Sequence, residues 1–120
     1  MGTQDGMIQA SEELRGDVLV VRLKGRLDVV AAQTVETKML GIISGGQRKV
    51  IMNLCEVSYL SSAGIRVLLT VATKLKPISG RLIVCAVSAN VLHILTVSGF
   101  VHVIEIAKNE EEAIQKFTHI

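Results

Sequence analysis

Three short runs rich in β-branched residues, Asp17 to Leu23 (DVLVVRL), Lys49 to Val57 (KVIMNLCEV) and Arg81 to Val87 (RLIVCAV), are each followed by a stretch whose apolar residues recur at helical spacing. Runs of this length and branching predict strands. Strands joined through amphipathic helices predict a parallel sheet closed by right-handed crossovers. After the first run, Ala32, Val35, Met39, Leu40 and Ile43 share one helical face, with Asp28 placed to cap the start and Gly45-Gly46 to end it. After the second, a helix opens at Ser61 with Ile65, Leu68, Leu69, Ala72 and Leu75 on one side, and Pro77 and Gly80 stop it. The third run is apolar on both faces, as a central strand covered on each side requires. Ser88 caps the helix behind it, with Val91, Leu92 and Leu95 inward and Gly99 as the left-handed stop. Val101 to Ile106 predicts a further strand. Asn109 with Glu112 resembles a capping box ahead of Ala113, Ile114 and Phe117. A weaker run, Met7 to Ser11, pairs as an antiparallel edge across the turn Arg15-Gly16-Asp17. The fold class expected is α/β, a mixed and mostly parallel sheet of about five strands with about four helices.

The 120 residues make one domain, 1–120, with residues 1–6 expected to be a flexible lead. A hydrophobic fraction of 49% with 20% charge and one proline excludes disordered and collagen-like chains. The mean hydropathy of +0.47 does not signal a membrane span, because apolar runs such as Leu82 to Val87 are far too short. The amino end shows neither a secretory leader nor a myristoylation signal, so the expected compartment is the cytoplasm. Cys55 and Cys85 form no CxxC pair and have no histidine at ligand spacing, which predicts buried free thiols and no metal site. The formal charge of +2 is scattered, and Tyr59, Phe100 and Phe117 are the only aromatics, so direct nucleic-acid binding is not expected.

No GxGxxG, GxxxxGK[ST], GxSxG or HExxH occurs, and no cofactor is implied. His93 falls on the third helix, His102 in the expected strand and His119 at the carboxyl end, none paired with a nucleophile. Glu110, Glu111 and Glu112 fill a first helical turn, where capping and the helix dipole account for them. Chemistry is therefore sought at the carboxyl edge of the sheet, where open α/β folds place working residues; Asp28, Ser61, Ser62 and Ser88 lie there.

The informative stretch is Val57 to Arg66 (VSYLSSAGIR), where a strand ends and two serines open a helix. Helical spacing traced backward puts Ser61 on the buried side and Ser62 at the border, four residues before Arg66. A phosphate on a serine at a helix start gains about 0.3–1 kcal/mol from the dipole. Serines at this position also serve simply as caps, and the local pattern alone leaves both roles open.

These residues resemble a STAS domain of the bacterial anti-sigma-factor antagonist family. Four stretches carry the likeness: Leu23 to Asp28 (LKGRLD), Val50 to Leu54 (VIMNL), Val57 to Leu69 (VSYLSSAGIRVLL), and Leu82 to Cys85 (LIVC) followed by Ser98-Gly99-Phe100. The resemblance implies a non-enzymatic partner switch. The unphosphorylated domain binds an anti-sigma factor that is also a serine kinase, the sigma factor is released, and phosphorylation reverses the binding until a phosphatase removes the phosphate. The resemblance puts the phosphorylated serine at Ser62. Ser61 stands where the family carries Asp, Ala63 takes the Ser or Thr position, Gly64 the turn glycine, and Asp28 the acidic residue of the same edge. Tyr59, Ser61, Ala63, Gly64, Arg66 and Asp28 are the expected partner-binding residues, and the chain is expected to be a monomer or weak homodimer. Alternatives are a stressosome-type scaffold or phosphatase-linked partner outside sigma control, and a small-ligand or nucleotide-binding module.

Overall fold

The computed structural model describes residues 8–118. The flexible lead expected over residues 1–6, Met7 of the first expected strand, and His119 lie outside the described residues. Five strands, β1 (Gln9–Arg15), β2 (Val18–Leu27), β3 (Lys49–Leu60), β4 (Arg81–Cys85) and β5 (Ile106–Ala107), form one sheet in the order β1-β2-β3-β4-β5. β1 pairs antiparallel with β2 and all other pairs are parallel. The β1–β2 turn is the two-residue Gly16-Asp17, with Gly16 at φ 65°, the type II′ pattern that matches strand twist. Four helices, α1 (Val29–Ser44), α2 (Ser62–Leu75), α3 (Ala89–Val97) and α4 (Glu110–Thr118), complete the chain.

From β2 to β5 the chain steps across the sheet in one direction. Right-handed crossovers of that kind put α1, α2 and α3 on one face. That face holds the larger core, in which Val50, Met52 and Leu54 of β3 meet Val35, Met39, Leu68, Val71, Val91 and Leu95 of the helices. The alternate residues Val18, Val20, Ile51, Ile83 and Cys85 point to the other face and pack on Ala113, Ile114 and Phe117 of α4. Each fully buried Leu, Ile or Val contributes about 1.5–3 kcal/mol, so the strand alternation fixes both layers.

Three expectations fail here. Residues 101–106 do not form the expected strand: Gly99 turns left-handed at φ 81°, and the amides of His102, Val103 and Ile104 bond back to Gly99 and Phe100 carbonyls. Local bonds satisfy that backbone, so β5 is only Ile106–Ala107 and His102 sits in a turn. Leu92 is not an inward residue of α3; it is 39% exposed, and Val91 and Leu95 are the buried pair. Cys55 is exposed, whereas Cys85 is buried as expected. β3 runs on past Asn53, its last partner on β4, and two register shifts against β2 break its alternation, so Cys55 has no cover.

The acidic start of α4 does more than cap. Asn109 Oδ1 accepts from the Glu112 amide at 2.9 Å, as the capping box predicts. Glu110 instead leaves the helix end and takes hydrogen bonds from Arg22 Nε (2.8 Å) and Asn53 on the sheet. The Arg22 hydrogen bond holds the Glu110 carboxyl below its ordinary value, and the same pairing raises Arg22.

Candidate functional site

Three helices start along the carboxyl edge of the sheet, and each is capped by the residue that follows its strand or loop. Asp28 Oδ1 accepts from the Ala31 amide at 2.9 Å, Ser61 Oγ from Gly64 at 3.0 Å, and Ser88 Oγ from Val91 at 3.1 Å. Each bond satisfies an amide that the helix itself leaves unpaired. Of the hydroxyls and carboxylates expected at this edge, three are thus committed to holding helices.

Ser61 is committed twice. It is only 8% exposed, and its Oγ also donates to the Leu27 carbonyl at 2.7 Å, as does its backbone N–H at 3.1 Å. The end of β2 is thereby pinned to the start of α2. Gly64 completes the joint: a Cβ there would meet the Leu27 carbonyl oxygen at 2.9 Å and side-chain carbons of Leu27 and Leu60 at 3.0 Å. Only glycine lets the first turn of α2 settle this close. Ala63, beside it, is half-buried against the larger core.

Ser62 differs from its neighbour. It is the first residue of α2, it is exposed, and its hydroxyl bonds no other group among the described residues. Arg66, one turn along, is exposed as well. Between them lies the mouth of a groove of about 220 Å³, lined by Ser62, Ile65, Arg66, Leu69, Ser98 and Phe100. Tyr59 stands nearby in sequence at the end of β3, and the Arg26 guanidinium lies over its ring at 4.4 Å.

The structure therefore divides the expected site residues by task. Asp28, Ser61 and Gly64 build the edge, while Ser62, Arg66 and Tyr59 present side chains to solvent. Two residues at this edge were not foreseen: Val29 and Val30, 60% and 66% exposed, open α1 directly after Asp28. Their exposure was legible, since neither fits the apolar face that begins at Ala32. Phe100 and Ser98 were noticed in sequence, but only the fold brings them against α2.

His93 on α3 and His102 in the turn after it are exposed, and neither lines the groove beside Ser62. Among the described residues no group of three or more His, Cys, Asp or Glu could hold a metal ion, and no helix is long and apolar enough to cross a membrane. The displaced carboxyl protonations belong to structural ion pairs away from this edge: Asp17 is lowered by Lys49 and Glu105 by Arg81.

The sequence pattern of the STAS domain matches residues 9–113. A Bordetella bronchiseptica protein named "Putative anti-sigma factor antagonist BtrV" is 31% identical over 100 residues, covering 83% of this chain and 86% of that protein. The solved structure of the anti-sigma factor antagonist SpoIIAA in its unphosphorylated form is similar at TM-score 0.78 and 28% identity, over 94% of this chain and 97% of that one. SpoIIAA in its phosphorylated form, described as a Bacillus cell fate determinant, is similar at TM-score 0.69 and 27% identity, over 91% and 99%. Sequence, strand order and helix placement agree, and the chain belongs to the STAS domain family, among the anti-sigma factor antagonists.

Proposed function

We propose that this protein is a phosphorylation-controlled anti-sigma factor antagonist that works by partner switching in the cytoplasm. In its unphosphorylated form it binds an anti-sigma factor that is also a serine kinase, and the sigma factor is set free. The kinase transfers the γ-phosphoryl group of ATP to Ser62 Oγ, the modified edge loses its grip on the kinase, and a phosphatase resets it. The domain supplies no catalysis of its own. Asp28, Tyr59, Ser61, Ala63, Gly64 and Arg66 make up or support the binding edge.

One observation carries this proposal: of two adjacent serines, Ser61 is buried with its hydroxyl doubly bonded, while Ser62 is exposed with its hydroxyl bonded to no group among the described residues. A kinase needs an accessible hydroxyl on a fixed backbone, and Ser61 fixes the backbone on which Ser62 is displayed. A phosphate there adds about −1.5 to −2 charges to a contact surface, which disfavours docking through desolvation and repulsion. Similarity to SpoIIAA in both its unphosphorylated and phosphorylated forms supports a fold that holds both states.

The test is intact-mass spectrometry after incubation with ATP and each serine-kinase anti-sigma factor encoded in the same genome. One added phosphate on the wild type and on Ser61→Ala, absent from Ser62→Ala, is the expected result. Phosphate retained by Ser62→Ala, or binding with no phosphate from any kinase, refutes the switch.

A further inference from the structure

We infer that the open edge of β1 is an interaction surface for a second copy of this chain, which pairs with it antiparallel about Ser11 and extends the sheet across a twofold axis. The two edges of the sheet differ. β5 closes one side with two residues, too short to template another strand. β1 offers seven, carries no proline and no bulge, and among the described residues pairs with β2 alone. Its turn to β2 has two residues, so Arg15 and Val18 form the closing hydrogen-bonded pair, and Glu13, Ser11 and Gln9 follow in the same phase. Ala10, Glu12 and Leu14, with Ile8 just ahead of the strand, therefore turn their backbone N–H and C=O groups outward to solvent.

The side chains select both occupant and register. Each charge on β1 is held within its own protomer: Glu12 by Lys38 of α1 at 2.5 Å, Glu13 by Arg22 at 2.8 Å, and Arg15 by Glu110 and Glu111. The outward backbone groups of two copies meet in phase only when the twofold axis passes through a residue. An axis at Glu12 or Glu13 sets like carboxylates opposite each other, and one at Ala10 sets Ile8 against Glu12, so these registers are disfavoured. At Ser11, Ile8 faces Leu14, Gln9 faces Glu13 and Ala10 faces Glu12, with no like charges opposed. Leu14, 61% exposed in the single chain, is then covered by Ile8 of the second copy, on the helix side of the sheet where its β2 neighbour Leu19 lies. The Gln9 amide can donate to the Glu13 carboxylate across the seam. This self-matching argues for a second copy as the occupant. The carboxyl edges of the two protomers then point to opposite ends of the joined sheet, so both Ser62 sites stay open, and the pairing does not depend on the function proposed above.

A seam from Ile8 to Leu14 is about 23 Å long at about 3.3 Å per residue, small for an interface, so the dimer is weak. Sedimentation equilibrium of the full chain is expected to show a reversible dimer with its midpoint at about 0.1–1 mM. Ala10→Pro deletes an N–H that faces solvent and spares the β2 ladder, and Ser11→Glu sets two carboxylates on the axis; both are expected to stay monomeric over that range. Ser11 is exposed, so its variant folds even if Ala10→Pro does not, and far-ultraviolet circular dichroism checks both. Register is read by cross-linking in a Cys55→Ser background, which removes the exposed thiol and leaves Cys85 buried. Ser11→Cys places two opposed Cα atoms about 4.5 Å apart, within disulfide reach, with oxidised glutathione as the electron acceptor. It is expected to cross-link about tenfold faster than Gln9→Cys, whose two copies stand about 13 Å apart along the seam. A wild-type chain that is monomeric at about 1 mM overturns the inference. So does a dimer that folded Ala10→Pro and Ser11→Glu both retain, or Gln9→Cys cross-linking as fast as Ser11→Cys. Phosphorylation of Ser62, read separately by mass, stands or falls independently of each result.

Discussion

Replacing each of the two adjacent serines by alanine separates building the edge from displaying it. Ser61→Ala removes the acceptor from the buried Gly64 amide, a cap loss of about 1 kcal/mol. It also removes the hydroxyl's bond to the Leu27 carbonyl, about 1 kcal/mol more. That carbonyl keeps its bond from the Ser61 amide and is not orphaned, so the total stays near about 2 kcal/mol. For a domain of this length about 4 °C accompanies each kcal/mol, giving a fall in melting temperature of about 8 °C. Ser62→Ala touches an exposed hydroxyl without partners among the described residues, and alanine is the better helix former, so stability should stay within about 0.5 kcal/mol of wild type. Urea unfolding followed by far-ultraviolet circular dichroism, with equal m-values for the three proteins, reads the difference. Equal stability of wild type and Ser61→Ala would show that its two bonds do not hold α2 to β2. A loss of more than about 1 kcal/mol in Ser62→Ala would make that residue structural and take away the basis for a displayed acceptor.

The other expectations follow from the same coordinates. Gly64→Ala forces a Cβ against the Leu27 carbonyl, and despite alanine's helix propensity the chain should lose about 1–3 kcal/mol in the same urea assay; a gain would refute the close approach. Glu110 titrates below its ordinary 4.5 in the folded state, first because Arg22 bonds it and then because Asn53 does. Its contribution is therefore full above pH 4.5 and is lost as the pH falls through the lowered value. Glu110→Gln should flatten that part of the acid limb and leave its shape above pH 5 unchanged. Cys55 should react with Ellman's reagent in the native protein, while Cys85, fully buried with its thiol pushed up to about 12 by burial, should react only after unfolding. Two fast native thiols would contradict the packing of β4 under α4.

The strands and helices that were legible in sequence are those whose signals are local. Val18 to Leu23, Lys49 to Val57 and Arg81 to Cys85 became strands because β-branched runs of that length suit a half-buried or buried sheet, while the third run, expected to reach Val87, stops at Cys85 where Ala86 turns to φ 60°; Asp28, Ser61 and Ser88 became caps because their neighbours match helical spacing. Residues 101–106 misled because composition speaks for a strand, whereas Gly99 and three backbone bonds speak for a turn, and those bonds are invisible in composition. Cys55 misled for a different reason: its surroundings in sequence are apolar, but β3 outruns β4 at that point. The order of Ser61 and Ser62, one in and one out, was readable because helical periodicity extends backward through a cap. The Leu27 carbonyl as the shared acceptor was not, since residues 34 apart meet there only through the parallel pairing of β2 and β3. Glu110 shows the same limit, its partners Arg22 and Asn53 lying on two different strands.

Serine at position 61 suits the geometry of that joint. A carboxylate accepts from the Gly64 amide and suits the positive end of α2, but it has no proton to give the Leu27 carbonyl, which approaches to 2.7 Å of the Ser61 oxygen. The hydroxyl makes both bonds and holds two strand ends together without charge. The electrostatics around Ser62 are thereby left to Arg66 on α2 and Arg26 over Tyr59, with the Asp28 charge engaged at its own cap. On the proposed function, a phosphate at Ser62 meets an attracting guanidinium one turn away and no adjoining carboxylate to repel it. The phosphorylated state is then the one this edge stabilises internally, and partner binding must compete with that internal pairing, which makes Arg66 the residue through which the two states are weighed against each other.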